Sequence, residues 1–208
     1  MNITVIGAGA WGTALAISLA ANHRVTLWSR DHAQIESMRA TRGNQRYLPD
    51  IPLPAGIELS ADLPSALAGA GLVIIAVPTA ALRSILQQVA SRFPLSNSGE
   101  RTNEKGIVKF PGVIWVCKGF EAGTSLLPHQ VVAEVLPDGF QRGVLSGPSF
   151  AQEVARGLPT ALTLASGDEE FARSTALALH HARLRIYASN DVAGVEVGGA
   201  VKNVMAIA

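Results

Sequence analysis

Short apolar runs of strand length alternate along this chain with longer segments in which apolar residues recur at helical spacing. Runs at 3–6, 24–28, 57–59, 72–77, 113–117, 143–145, 160–165 and 185–187 read as strands, with helical patterns between most of them. That alternation predicts an α/β fold: a doubly wound, mostly parallel sheet with crossover helices. The run at 72–77 is apolar throughout, as a central strand covered on both faces requires, and Pro78 stops it. Two stretches break the rhythm and read as loops: 41–54, rich in Gly, Asn and Pro, and 96–111, polar with charges of both signs. After Asp191, an N-cap residue, Val192, Val195, Val201 and Val204 mark a buried helix that reaches Ala208 without a stop signal, so the chain reads as a fragment. Gly198 and Gly199 within that helix each cost about 1 kcal/mol of helix stability, which predicts a close approach to it.

Composition removes whole classes of function. With 208 residues, 48% hydrophobic, 16% charged and a net charge of +1, the chain can bury a substantial core and carries no basic block for nucleic acid. Five histidines and one cysteine form no spaced metal-ligand set, and His180-His181 reads as a solvated helix end. The single Cys117 excludes an internal disulfide, fits a reducing compartment and reads as a quiet thiol in a strand. The segment 3–21 lacks any charge, yet three glycines in six positions argue against a membrane span, and Met1-Asn2 supplies no cationic leader. A cytoplasmic, soluble protein without membrane insertion is expected.

Those glycines carry the first chemistry. Ile3 to Ile6 leads into Gly7-Ala8-Gly9-Ala10-Trp11-Gly12 and then an alanine-rich helix, the strand, glycine turn and helix of a Rossmann dinucleotide site. Gly7 allows the tight turn, Gly9 lets a pyrophosphate approach the backbone, and Gly12 lets the helix pack close to the strand. The second strand ends in Arg30 where an NAD site usually has an acid, which favours the 2′-phosphate of NADP. Asp31 next door would restore an NAD-like acid after a one-residue shift, or cap the helix that begins at His32. Lys118, just after the run 113–117, should project from the carboxyl edge of the sheet and suits a phosphate or carbonyl oxygen, although a solvated lysine is also compatible. Ser146-Gly147-Pro148-Ser149 closes the next strand, and Ser149 with Gln152 forms a capping-box pattern. No G-x-S-x-G elbow surrounds Ser149, which argues against a serine hydrolase. Lys202 stands among apolar neighbours, where desolvation lowers a lysine pKa toward the range useful for proton transfer; snorkelling to solvent is the alternative.

Five ordered blocks carry a resemblance: GAGAWGTALA at 7–16, NQRYLP at 44–49, CKGFE at 117–121, SGPSFA at 146–151 and VGGAVKNVMAIA at 197–208. Together they resemble bacterial NAD(P)-dependent glycerol-3-phosphate dehydrogenase. The resemblance implies a Rossmann domain over 1–189, with 190–208 as the first helix of a truncated, all-helical substrate domain. It also implies reversible hydride transfer between NADPH, or NADH, and dihydroxyacetone phosphate, giving sn-glycerol 3-phosphate for glycerophospholipid synthesis. By motif, Gly7, Gly9, Ala10, Trp11, Gly12, Arg30, Tyr47 and Ala151 fall on cofactor positions. Lys118 falls on both cofactor and substrate, Gly147 and Ser149 on substrate, and Lys202 on substrate as the catalytic acid/base. Family members continue into a helical domain with further substrate contacts, and a homodimer of the full-length protein is compatible with that pattern. Two alternatives stay open: another two-domain Rossmann dehydrogenase, of the 3-hydroxy acid or 6-phosphogluconate kind, and a non-catalytic dinucleotide-sensing module.

Overall fold

The computed structural model describes residues 1–93, 102–103, 106–107 and 111–205, without the side chains of 102–103, 106–107 and 202–205. In order, the chain forms β1 (Asn2–Ile6), α1 (Ala10–Leu19), β2 (Arg24–Trp28), α2 (His32–Thr41), β3 (Gly43–Asn44), β4 (Leu48–Pro52), β5 (Ile57–Ser60), α3 (Leu63–Leu67), β6 (Leu72–Ile75) and α4 (Thr79–Ala90). There follow β7 (Thr102–Asn103), β8 (Gly106–Ile107), β9 (Gly112–Trp115), α5 (Pro128–Val135), β10 (Arg142–Ser146), α6 (Ala151–Ala155), β11 (Thr160–Ala165), α7 (Glu169–Leu179), β12 (Leu184–Ser189) and α8 (Val192–Met205).

All eight predicted strands join one sheet, in the order β12-β11-β10-β9-β6-β1-β2-β5. The six strands from β5 to β10 are parallel; β11 pairs antiparallel with β10, and β12 follows it in parallel. The period of two along β6 divides the core. Leu72 and Ile74 pack with Leu15, Leu19 and Leu27 on one face, while Val73 and Ile75 pack with Leu82, Leu86 and Val132 on the other. Burial on both faces explains why this strand reads as unbroken apolar sequence.

Several boundaries differ from expectation. β6 and β9 end two residues early, because β1 turns away at Gly7 and leaves nothing for Val77 to pair with; the last rungs are Ala76 N–H to the Ile6 carbonyl at 2.8 Å and Val116 N–H to the Ile75 carbonyl at 3.0 Å. Cys117 therefore sits just beyond its strand rather than within it, although it is buried. The segment 41–54 is not a plain loop. After Arg42, at φ 46°, it forms the antiparallel hairpin β3–β4, whose Leu48 and Ile51 bury against Ala14 of α1 and Val154 and Ala155 of α6. Helix α6 begins at Ala151 with Phe150 at its N-cap, so Ser149 lies one residue outside the cap position that the capping-box spacing gives it. His181 is not merely solvated, since its Nε2 lies 3.0 Å from the Ser18 hydroxyl. Most of 96–111 lies outside the described residues.

Asp191 begins α8 as expected, its Oδ1 accepting from the Gly194 N–H at 2.8 Å. At the start of the chain, α1 leaves β1 through a turn so tight that a Cβ on Gly12 would run into the Gly7 carbonyl oxygen. That neighbour is backbone and cannot swing away. Gly12→Ala should therefore lower stability by about 1–3 kcal/mol, read as a fall in the urea midpoint at constant slope; an unchanged midpoint would show that the turn can relax.

Candidate active site

The strand order reverses at β1, with β2 on one side and β6 on the other, and in open α/β sheets ligands bind at the carboxyl ends of the strands at such a switch point. Gly7, at φ 114°, turns the chain there against the carbonyl of Ala76. Gly9 is the N-cap of α1; no side chain caps that helix and its first turn holds no acid. A Cβ placed on Gly9 would meet nothing within 4 Å. An open space in front of an uncapped helix N-terminus, with its outward N–H groups and positive dipole end, fits an anionic diphosphate. Ala10 and Trp11 open the helix half-buried, and Trp11 packs partly against the core.

Two side chains hold this turn from outside. The Ala8 carbonyl accepts from Gln34 Nε2 of α2 at 2.7 Å and from Asn44 Nδ2 of the hairpin at 3.0 Å; the same Asn44 amide reaches the Thr13 hydroxyl at 2.8 Å. Asn44 is buried, so it fastens the hairpin to the glycine turn at its base. Tyr47 then stands exposed on the hairpin, and Arg30 exposed at the end of β2. Asp31 resolves toward capping, with its Oδ1 accepting from the Gln34 N–H at 3.1 Å. Arg46, which sequence reasoning passed over, holds its guanidinium 5.1 Å from the Tyr47 ring centroid and 3.7 Å from Asp31 Oδ2.

Further along the same edge, past β9 and β10, lies a second group. Lys118 Nζ is 3.4 Å from the Gly147 carbonyl, and the Lys118 carbonyl accepts from the Thr79 hydroxyl at 2.8 Å. The loop after Lys118 is clamped by Arg83, which meets Glu121 through two bonds of 2.9 and 2.8 Å and Glu134 at 2.8 Å. The Arg83 guanidinium, with the Thr124 hydroxyl, holds the Glu121 carboxyl down to about 2. Gly147 abuts β11, where a Cβ would lie 2.8 Å from the Ala161 carbonyl, while Ser149 and Ala151 are half-buried at the entry to α6.

Helix α8 crosses this group at Gly199. A Cβ there would fall 2.7 Å from the Ser146 hydroxyl and 3.6 Å from the Lys118 stem, which is the close approach that the glycine pair predicts. Lys202 lies three positions on, in register with Gly199 on the helix; its side chain is outside the described residues. What fixes α8 is Glu196, buried at 4% exposure. Its Oε1 accepts from Trp115 Nε1 at 2.6 Å and from the His129 N–H at 2.9 Å, and its Oε2 lies 2.6 Å from His129 Nδ1. Sequence reasoning missed this network, although Glu196 is the lone acid in the apolar stretch 192–201, a signal in itself. Beside it, burial pushes the Cys117 thiol up to about 12, and the Glu196 charge adds to the effect.

Among the described residues no cluster of His, Cys, Asp or Glu could hold a metal ion, and no helix is long and apolar enough to cross a membrane. A mostly parallel doubly wound sheet whose glycine turn faces open space at the switch point defines a Rossmann dinucleotide-binding domain. The profile of the NAD-dependent glycerol-3-phosphate dehydrogenase N-terminus matches residues 2–172, and the chain belongs to that family. It is 56% identical over 208 residues to the NAD(P)+ glycerol-3-phosphate dehydrogenases of Thiobacillus denitrificans and of Nitrosomonas europaea. The match covers all of this chain and 59% of each relative. The crystal structure of glycerol-3-phosphate dehydrogenase from Coxiella burnetii superposes with a TM-score of 0.83 at 37% identity, over 99% of this chain and 59% of that one.

A cysteine that holds its proton in the folded state stabilises that state less as pH rises from about 9, its ordinary value, to about 12. The stability gap between wild type and Cys117→Ala should accordingly shift against wild type across that window in denaturant titrations. A gap independent of pH would mean the thiol ionises freely in the fold.

Proposed function

We propose that this chain forms the cofactor half of a dehydrogenase that moves hydride reversibly between NADPH, or NADH, and dihydroxyacetone phosphate, giving sn-glycerol 3-phosphate for glycerophospholipid synthesis. The carrying observation is the open space before Gly9, at the uncapped start of α1, on the sheet edge that also bears Arg30 and Lys118. The pyrophosphate of the cofactor would lie on the N–H groups of α1, with Ala10, Trp11 and Ala151 along its path and Arg30 and Tyr47 at the adenosine end. When bound, the nicotinamide supplies the hydride.

Lys118 reaches both ligands from its clamped loop, and Gly147 and Ser149 contact the substrate beside it. Lys202 is the acid/base: it protonates the carbonyl oxygen during reduction and takes the hydroxyl proton during oxidation. The packing of α8 at Gly199 supports this reading, because it brings the backbone bearing Lys202 to within one helical turn of Ser146 and Lys118. We place the domain boundary at 189/190, so that α8 opens a helical substrate domain corresponding to the remaining length of the relatives. The full protein works in the cytoplasm as a homodimer.

Nicotinamide fluorescence titrations test the cofactor assignment. Gly9→Ala should weaken NADPH and NADH alike by about tenfold or more, with the melting temperature nearly kept, since the added methyl fills only the ligand's space. Arg30→Asp should lose NADPH affinity far more than NADH affinity; equal losses would remove Arg30 from the 2′-phosphate. The 208-residue chain should bind NADPH yet turn over dihydroxyacetone phosphate much more slowly than a full-length relative. In a full-length version, Lys202→Ala should abolish turnover without affecting cofactor binding, and near-normal rates would take it out of the reaction.

A further inference from the structure

The end of β2 places an acid, Asp31, next to the residue proposed to meet a 2′-phosphate, and the hairpin supplies an answer. Asp31 follows Arg30 directly, and a free carboxylate there would repel a phosphate and favour a ribose hydroxyl. Neither of its oxygens is free. Oδ1 accepts from the Gln34 N–H at 3.1 Å as the cap of α2, and Oδ2 faces Arg46 Nη1 at 3.7 Å.

Arg46 is not there by chance of a long side chain. Two residues earlier the buried Asn44 is bonded to the Ala8 carbonyl and the Thr13 hydroxyl, which ties the hairpin to the glycine turn itself. The guanidinium also lies over the Tyr47 ring, 5.1 Å from its centroid. The pair with Asp31 is long and its partners are 67% and 45% exposed, so it contributes under about 1 kcal/mol and leaves most of the guanidinium fork available. Arg46 thus stands beside a carboxylate already engaged in capping α2, and Arg30 precedes that carboxylate in the chain.

We propose that Arg46 is a specificity-determining residue for the cofactor: it screens Asp31 and, with Arg30, receives the 2′-phosphate of NADPH. This rests on the dinucleotide reading of the site. A bidentate guanidinium on a phosphate makes charge-assisted bonds that a ribose hydroxyl cannot match, so the residue discriminates between the two cofactors instead of strengthening both.

The test is a titration of wild type, Arg46→Ala, Arg46→Lys and the double variant Arg46→Ala with Asp31→Asn against NADPH and NADH, with melting temperatures recorded. Arg46→Ala should lose about 10- to 100-fold in NADPH affinity with NADH affinity nearly unchanged, and with a shallower salt dependence for NADPH. Arg46→Lys, which keeps the charge and loses the fork, should fall between. The double variant should recover part of the NADPH affinity, because the Asp31→Asn side chain still caps α2 through its amide oxygen but carries no charge to repel a phosphate. Equal loss of both nucleotides would make Arg46 a structural part of the hairpin and overturn the proposal, as would unchanged NADPH affinity. No recovery in the double variant would overturn the screening of Asp31. If wild type binds neither nucleotide, the dinucleotide reading fails first and this proposal with it.

Discussion

The close passage of α1 over the turn that follows β1 is the constraint on which the rest is arranged. Gly12 presses on the Gly7 carbonyl and Gly7 presses on Ala76, so helix, turn and neighbouring strand meet with no room for a side chain. Because of that, α1 starts almost directly at the strand end and its free N–H groups face the switch-point crevice instead of the bulk surface. The same tight turn leaves the Ala8 carbonyl outside any helix or ladder. Gln34 and Asn44 satisfy it, and through those two bonds α2 and the hairpin are both referenced to the glycine turn. One steric condition thereby sets where α1 starts and, at one remove, the placement of α2 and of the hairpin that carries Arg46 and Tyr47.

The other end of the site rests on a different kind of interaction. Burying the Glu196 carboxyl costs several kcal/mol unless its oxygens are matched, and here Trp115 from β9 and His129 from α5 supply the donors. An apolar residue could pack there more cheaply but could not specify one rotation of α8 about its axis. Hydrogen bonds are directional, so the network fixes which face of the helix meets the sheet, and Gly199 then falls on Ser146 and Lys118. The Arg83 clamp on Glu121 does the same for the loop that carries Lys118, from outside the core.

What could be read in the sequence followed from short-range rules. Inner strands such as β6 and β9 were legible because strands covered on both faces need runs of apolar residues, the edge strands β5 and β12 because buried apolar positions alternate along them, and the glycine turn because only glycine meets its steric demands. Where tertiary contacts decided, local rules failed. The hairpin at 43–52 is built from Gly, Asn and Pro, which signal a loop, and it exists because Leu48 and Ile51 bury against α1 and α6. Ser149 and Gln152 had the spacing of a capping box, but the chain enters α6 one residue later. The partners of Arg46 and Glu196 could not be read locally, because Asp31 lies 15 positions from Arg46, and Trp115 and His129 lie 81 and 67 from Glu196, distances over which periodicity carries no information; the lone acid in an apolar helix was the one signal.

Charge placement follows from these two anchors. With a net charge of only +1, the chain as a whole exerts little pull on anions, yet both proposed ligands carry phosphate. At physiological salt a surface charge is screened within about 8 Å, so attraction must come from cations held at the binding edge and not from an overall basic surface. Arg30 at the end of β2, Arg46 on a hairpin tied to the glycine turn, and Lys118 on a clamped loop are three such cations, each on a separate element. The hairpin is positioned by the neutral Asn44 and the loop by Arg83 paired with Glu121, bonds separate from those the cations themselves make, Arg46 with Asp31 at 3.7 Å and Lys118 with the Gly147 carbonyl at 3.4 Å. On the proposed reading of the site, that separation would let a nearly neutral domain hold a multiply charged ligand, with buried or paired groups setting the geometry and exposed cations meeting the phosphates.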